Sequence, residues 1–223
     1  MIEFHRSPKQ WDGILQALTA TNINIAMVVT GGGTGVIPLC FGRVGASRNF
    51  VEANVPYSRV ATQQYLGFKP ADSYASASTA HALARAAHAR AQKQTDTQAH
   101  SPGLSLGSLG ISLSAALPTH PMGHDNRENA SQQDAKTSIP DYQIHVASHD
   151  TMSRRSWSLH FSADQCNRTT AESIAEQMFL AALAASIDES KRQPHGDPLS
   201  PLLAAGLAIT KNMEQPGSDN KKS

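Results

Sequence analysis

Cysteine is nearly absent: Cys40 and Cys166 are the only two in 223 residues. They are far apart and form no CxxC pair, which excludes a disulfide framework and reads as two buried or half-buried thiols. Aromatic residues make up 5% of the chain, charged residues 17%, and the net charge is +1. That balance excludes a broad electrostatic pull toward nucleic acid or an anionic membrane surface. No apolar run approaches the roughly 18 residues of a membrane-spanning helix. The opening Met1-Ile2-Glu3-Phe4-His5-Arg6 lacks the apolar core of a signal peptide, so a cytoplasmic protein is expected. Ten histidines are present, but most fall in probable loops or on a polar helix face. His81 and His88 share a helix face without a third ligand at metal spacing, and His120 and His124 lie in a polar stretch. Neither a metal nor a cofactor is expected.

Against this plain background one stretch stands out, Thr30-Gly31-Gly32-Gly33-Thr34-Gly35. It follows the apolar run 23–29, which reads as a buried strand, and precedes Val36 to Phe41, which reads as the first turns of a helix. A glycine-rich turn between strand and helix exposes backbone N–H groups at the positive end of the helix dipole, a geometry that suits a phosphate or an oxyanion. The competing reading is steric: glycines let strand and helix pack closely.

Periodicity places the other elements. Ser7-Pro8 signals a helix start, with Trp11, Ile14, Leu15 and Leu18 on one apolar stripe. Phe50 to Val55 reads as a second strand, and Ser58 caps a helix ending at Gly67. Alanine-rich residues 76–93 read as a helix, followed by a polar loop over 94–102 and a third strand within 104–117. Residues 120–140 hold too few large apolar side chains to offset the entropy of ordering, and read as a disordered insertion. Segments 141–147 and 156–161 alternate as a hairpin. Thr169-Thr170-Ala171-Glu172 reads as a capping box opening a helix to about Ile187. Residues 188–223 read as a linker, a short helix within 199–209 and a disordered tail. The expected fold is a single layered α/β/α domain over 1–187, its sheet mixed, with parallel units first and an antiparallel hairpin later.

The glycine turn, Val44-Gly45-Ala46-Ser47, Val55-Pro56-Tyr57-Ser58 and the alanine-rich helix together resemble the CinA C-terminal family, which includes nicotinamide mononucleotide deamidases. The resemblance covers roughly residues 8–187. The family pattern is Glu-Ser-x-Thr-Gly-Gly after the first strand, then Pro-Gly-x-Ser, then Tyr-Ser-Asn-Glu-x-Lys, the first serine being the presumed nucleophile. Counted without gaps from Gly45-Ala46-Ser47, Thr30 takes the serine position and Gly31, Gly32 and Gly33 follow it. Matched instead at Thr34-Gly35, Gly32 replaces the serine. Tyr57 and Ser58 match the second motif, Arg59 replaces its asparagine and Thr62 its lysine. Ser112 stands for a threonine on the family's third strand, where both glycines are missing.

The resemblance implies catalytic roles for Thr30 and Tyr57. It also implies binding of a small-molecule nucleotide by Gly31, Gly32, Gly33, Thr34, Ser58, Arg59 and Ser112, and self-association. Each residue has a simpler reading as well: Thr30 as a helix cap, Tyr57 as a connecting residue, Arg59 as a solvated first-turn residue. Thr62 cannot take a proton as a lysine of depressed pKa can. Three functions follow: an amidohydrolase releasing ammonia from the nucleotide, a degenerate member that binds a nucleotide or a partner subunit without chemistry, or an enzyme with a changed substrate and another base. His145 and His160, on alternating strands, would need a hydroxyl and an orienting carboxylate to act in catalysis.

Overall fold

The computed structural model describes residues 8–98, 107–118, 141–162, 165–187 and 197–214. The expected insertion at 120–140, the cap Ser7 and the end of the tail lie outside the described residues.

Strand β1 (Ile23–Thr30) is buried from Asn24 onward. It runs between two parallel neighbours, β2 (Phe50–Asn54) and β3 (Gly107–Ala116). A strand covered on both faces has no reason to alternate, which is why this run is apolar without a break. Strands β4 (Asp141–His149) and β5 (Arg154–Ser162) form the expected antiparallel hairpin beside β3. Its turn is closed by Asp150, whose Oδ1 accepts the N–H groups of Met152 and Ser153, each at 2.7 Å.

A sixth strand corrects the sequence reading. The helix expected within 199–209 is only Ser200–Ala204, and Ile209–Glu214 (β6) pairs with β5 along its length. Its alternation was hidden because all but Ile209 are exposed. Leu199, Leu202 and Leu207 belong to the main core, so this stretch is part of the same packed unit. The sheet order is β2-β1-β3-β4-β5-β6.

Helices cover both faces. On one, α1 (Pro8–Thr19), α2 (Val36–Phe41) and α5 (Arg168–Ala185) bury Trp11, Leu18, Val36, Ile174, Met178 and Phe179 against Ile25, Met27, Leu113, Ile144 and Val146. On the other, α4 (Ala77–Gln98) lies over β1, β3 and β4, and α3 (Arg59–Leu66) packs beside it. Its alanines do more than favour helix. Ala80, Ala84, Ala87 and Ala91 let the helix approach so near that a Cβ at Gly110 would overlap the backbone of Ala84 and His88. The helix continues to Gln98, past the expected loop start, with Thr95 bonding back to Ala91 O and to Asn24.

Candidate functional site

Three connections meet at the carboxyl ends of β1, β2 and β3: the glycine turn, the β2–α3 link with Tyr57, and the end of β3 at Leu117 and Pro118. The first turn of α5 joins them. The glycine turn is built for contact. Gly31 and Gly33 have φ of +80° and +71°, a region L side chains rarely adopt. A Cβ on Gly31 would overlap the Ala115 carbonyl, and one on Gly32 would overlap Leu117. Close packing therefore accounts for the glycines directly.

Two knots of hydrogen bonds form here. In the first, Thr30 Oγ1 donates to Pro56 O at 3.1 Å, and Thr62 Oγ1 donates to the same carbonyl at 2.8 Å and to Ser58 O at 3.0 Å. Both threonines are buried. Thr30 does not cap α2, as the sequence had allowed; the N-cap is Gly35, which has no side chain to offer.

In the second knot, Gly33 N donates to Glu172 Oε2, and Arg168 grips Glu172 Oε1 through Nε at 2.8 Å and Nη2 at 2.5 Å. Arg168 Nη1 also reaches Pro118 O at 3.3 Å. Partial burial works against the Arg168 charge, but its bonds to Glu172, helped by the nearby phenol of Tyr57, outweigh that loss and raise its pKa above the ordinary arginine value. The phenol of Tyr57, 61% exposed, thus lies close to the second knot. One turn further along α5, the carboxyl of Glu176 presses against Gly35, where a Cβ would overlap it.

Glu172 is a correction. The capping box had it reaching back over its own helix end, with Thr169 as cap. Instead Asn167 caps α5, its side chain accepting from Thr170 N at 2.8 Å, and Glu172 crosses to the glycine turn. Neither Arg168 nor Glu172 was singled out for the site. Their spacing of four on a helix was the available signal, because such residues face one another.

The remaining candidates separate from the cluster. Ser58 Oγ accepts from Ala61 N at 3.1 Å and caps α3 as expected. Arg59 is exposed and stands over the Tyr74 ring at 5.6 Å. Thr34 is exposed. Ser112 is sealed beneath α4 and donates to Ala80 O at 2.7 Å, which takes it out of any ligand's reach. Its odd-even position decides this: Ser112 and Ser114 face α4, while Leu113 faces α5.

The histidines gather elsewhere, between α4 and the hairpin. His145 bonds Ser158 Oγ at 2.8 Å and Gln143 Oε1 at 3.2 Å, an amide where catalysis would want a carboxylate, and its ring lies 5.4 Å from that of His160. His88 bonds Ser108 Oγ at 2.9 Å and faces His149 at 4.9 Å. Among the described residues, no three His, Cys, Asp or Glu side chains are grouped to hold a metal. Cys40 and Cys166 are buried and unpaired with each other.

No protein-family model and no curated protein matches the chain. Solved structures do. The competence or damage-inducible protein from Enterobacter asburiae is 15% identical, with a TM-score of 0.57 over 83% of this chain and 100% of its own. A competence-damaged protein (CinA) superfamily protein from Escherichia coli is 14% identical, with a TM-score of 0.54 over 82% of this chain and 94% of its own. Another, from Enterobacter cloacae, is 14% identical, with a TM-score of 0.55 over 84% and 99%. The fold of this chain is that of the CinA superfamily structures.

Proposed function

We propose that this CinA-like domain binds a small molecule at the carboxyl ends of its parallel strands and does not hydrolyse the amide of nicotinamide mononucleotide. One observation carries the reading: Thr30 and Thr62 both donate to the carbonyl of Pro56. The resemblance gives these two positions to a nucleophile and to a lysine, and their meeting supports the gapless register. A carbonyl oxygen holds a hydroxyl's proton in a hydrogen bond but does not take it away. Without a base, a threonine hydroxyl is a weak nucleophile. An oxyanion would also need free amides beside the nucleophile, and one amide of the turn, Gly33 N, is already bonded to Glu172.

What supports a surviving binding role is the polar rim itself. Tyr57 is exposed, Arg168 is anchored beside it, and Thr30 sits at the strand end below. The resemblance adds self-association to the proposal. The purified protein, incubated with nicotinamide mononucleotide, is expected to release no ammonia above a Thr30→Ala control. Turnover that vanishes in that control would overturn the proposal in favour of the amidohydrolase. Sedimentation is expected to return more than one chain per particle, and a monomer removes that part.

A further inference from the structure

Resting on this placement of the site, we infer that Glu172 is a specificity-determining residue: it occupies one amide of the glycine turn and the guanidinium of Arg168, and restricts the ligand to molecules that present no phosphate there. The donors that would attract a phosphate are Gly33 N and the guanidinium of Arg168. Both are held by the two oxygens of one carboxylate, Oε2 on the amide and Oε1 on the arginine. A carboxylate fixed to the same chain competes at a high effective concentration, so an incoming anion must break a charge-assisted bond and a forked ion pair together.

The surroundings strengthen the exclusion. The Glu176 side chain, 8% exposed, fills the space beside Gly35, so the turn is crowded on that flank as well. Arg168 is also held by Pro118 O, which accepts from Nη1 at 3.3 Å. Arg59, the other arginine nearby in sequence, stacks over Tyr74. An uncharged ligand faces none of these costs. It can lie against the Tyr57 ring and bond to the rim while the Arg168–Glu172 pair stays closed.

The test is phosphate binding by the full chain, read from the ¹⁵N–¹H shift of the Gly33 amide during titration with inorganic phosphate. The wild type is expected to show no saturable shift at millimolar phosphate. Glu172→Gln keeps an acceptor for Gly33 N, removes the negative charge and frees the guanidinium; it is expected to bind phosphate about tenfold or more tightly than the wild type. Adding Arg168→Gln to that variant is expected to abolish the gain. If Glu172→Gln does not fold, Glu172→Asp shortens the arm and is expected to fall between the two. Saturable binding to the wild type, or a folded variant that gains nothing, overturns the inference. Ammonia release without any phosphate-dependent shift at Gly33 would instead overturn only the proposed function.

Discussion

The carboxyl ends of β1 to β3 and the α4 side of the hairpin both collect polar groups, and they treat charge in opposite ways. At the strand ends charge is kept and paired, with Glu172 bonded to Arg168 and to the turn. Under α4 charge is suppressed. Burial, then the neighbouring ring of His160, pushes His145 down to about 4. Burial, followed by His88 and Arg154, does the same to His149, against the weaker upward pull of Asp150. The physical difference is access and company. A half-exposed pair keeps part of its hydration and satisfies the rest with bonds, while an imidazole drawn away from water beside another imidazole holds a proton less readily.

The largest expected effects come from the glycines that seat each region. Gly110→Ala would drive a Cβ into the α4 backbone, and Gly31→Ala would drive one into the Ala115 carbonyl at a φ of +80°. Each is expected to lower stability by about 3–4 kcal/mol in denaturant unfolding. Gly67 has the same φ of +80° with nothing within 4 Å of its Cβ position. Gly67→Ala should therefore cost only about 1–2 kcal/mol. Equal losses at Gly31 and Gly67 would show that backbone conformation, not close approach, governs the turn.

Acid separates the regions next. The folded-state pKa of His145 and of His149 lies at about 4, below the ordinary value of 6.5. Between these values the unfolded chain binds more protons than the folded one, so stability is full above pH 6.5 and falls as pH drops toward 4. The two together should remove roughly 3 kcal/mol or more over that window. His145→Gln with His149→Gln is expected to flatten the profile, measured by unfolding at a series of pH values. An unchanged profile would move the acid sensitivity away from the hairpin.

Removing one partner at the strand ends should cost less. Glu172→Ala leaves Gly33 N and Arg168 without their acceptor, and about 1–3 kcal/mol is expected to be lost, read from the unfolding midpoint. The smallest effect is assigned to the pair of Arg90 and Glu52, whose nitrogen and oxygen lie 2.5 Å apart at the rim of β2. Glu52→Gln should change stability by less than about 1 kcal/mol, with most of the effect gone at high salt. A loss at Glu52 as large as that at Glu172 would dissolve the contrast between a pair of side chains alone and one that also holds a backbone amide of the turn.

Much of the fold could be read along the chain because it is written in local periodicity. Trp11, Ile14, Leu15 and Leu18 form a stripe, the run from Ile25 to Val29 has no polar break, and Ile144 and Val146 alternate with His145 and Ala147. The strand β6 escaped because Thr210, Lys211, Asn212 and Glu214 look like a solvated tail. Only hydrogen bonding to β5 makes them a strand, and that is a long-range fact. The candidate site divides in the same way. Thr30 and Tyr57 were marked by motif, and they do lie at one end of the sheet. Ser112 had a motif position too, but strand alternation turned it under α4.

By itself the amino-acid order determined the helices, the buried central strands, the hairpin, the α3 cap at Ser58 and the location of the glycine turn. Each of these depends on neighbours within a few residues, where propensity, capping and hydrophobic period act. Tertiary structure alone decided that Thr30 and Thr62 share the carbonyl of Pro56, and that Glu172 leaves its own helix end for Gly33, 139 positions away. Such partners are selected by which unpaired donors and charges packing brings together and cuts off from water, and no local pattern encodes that choice.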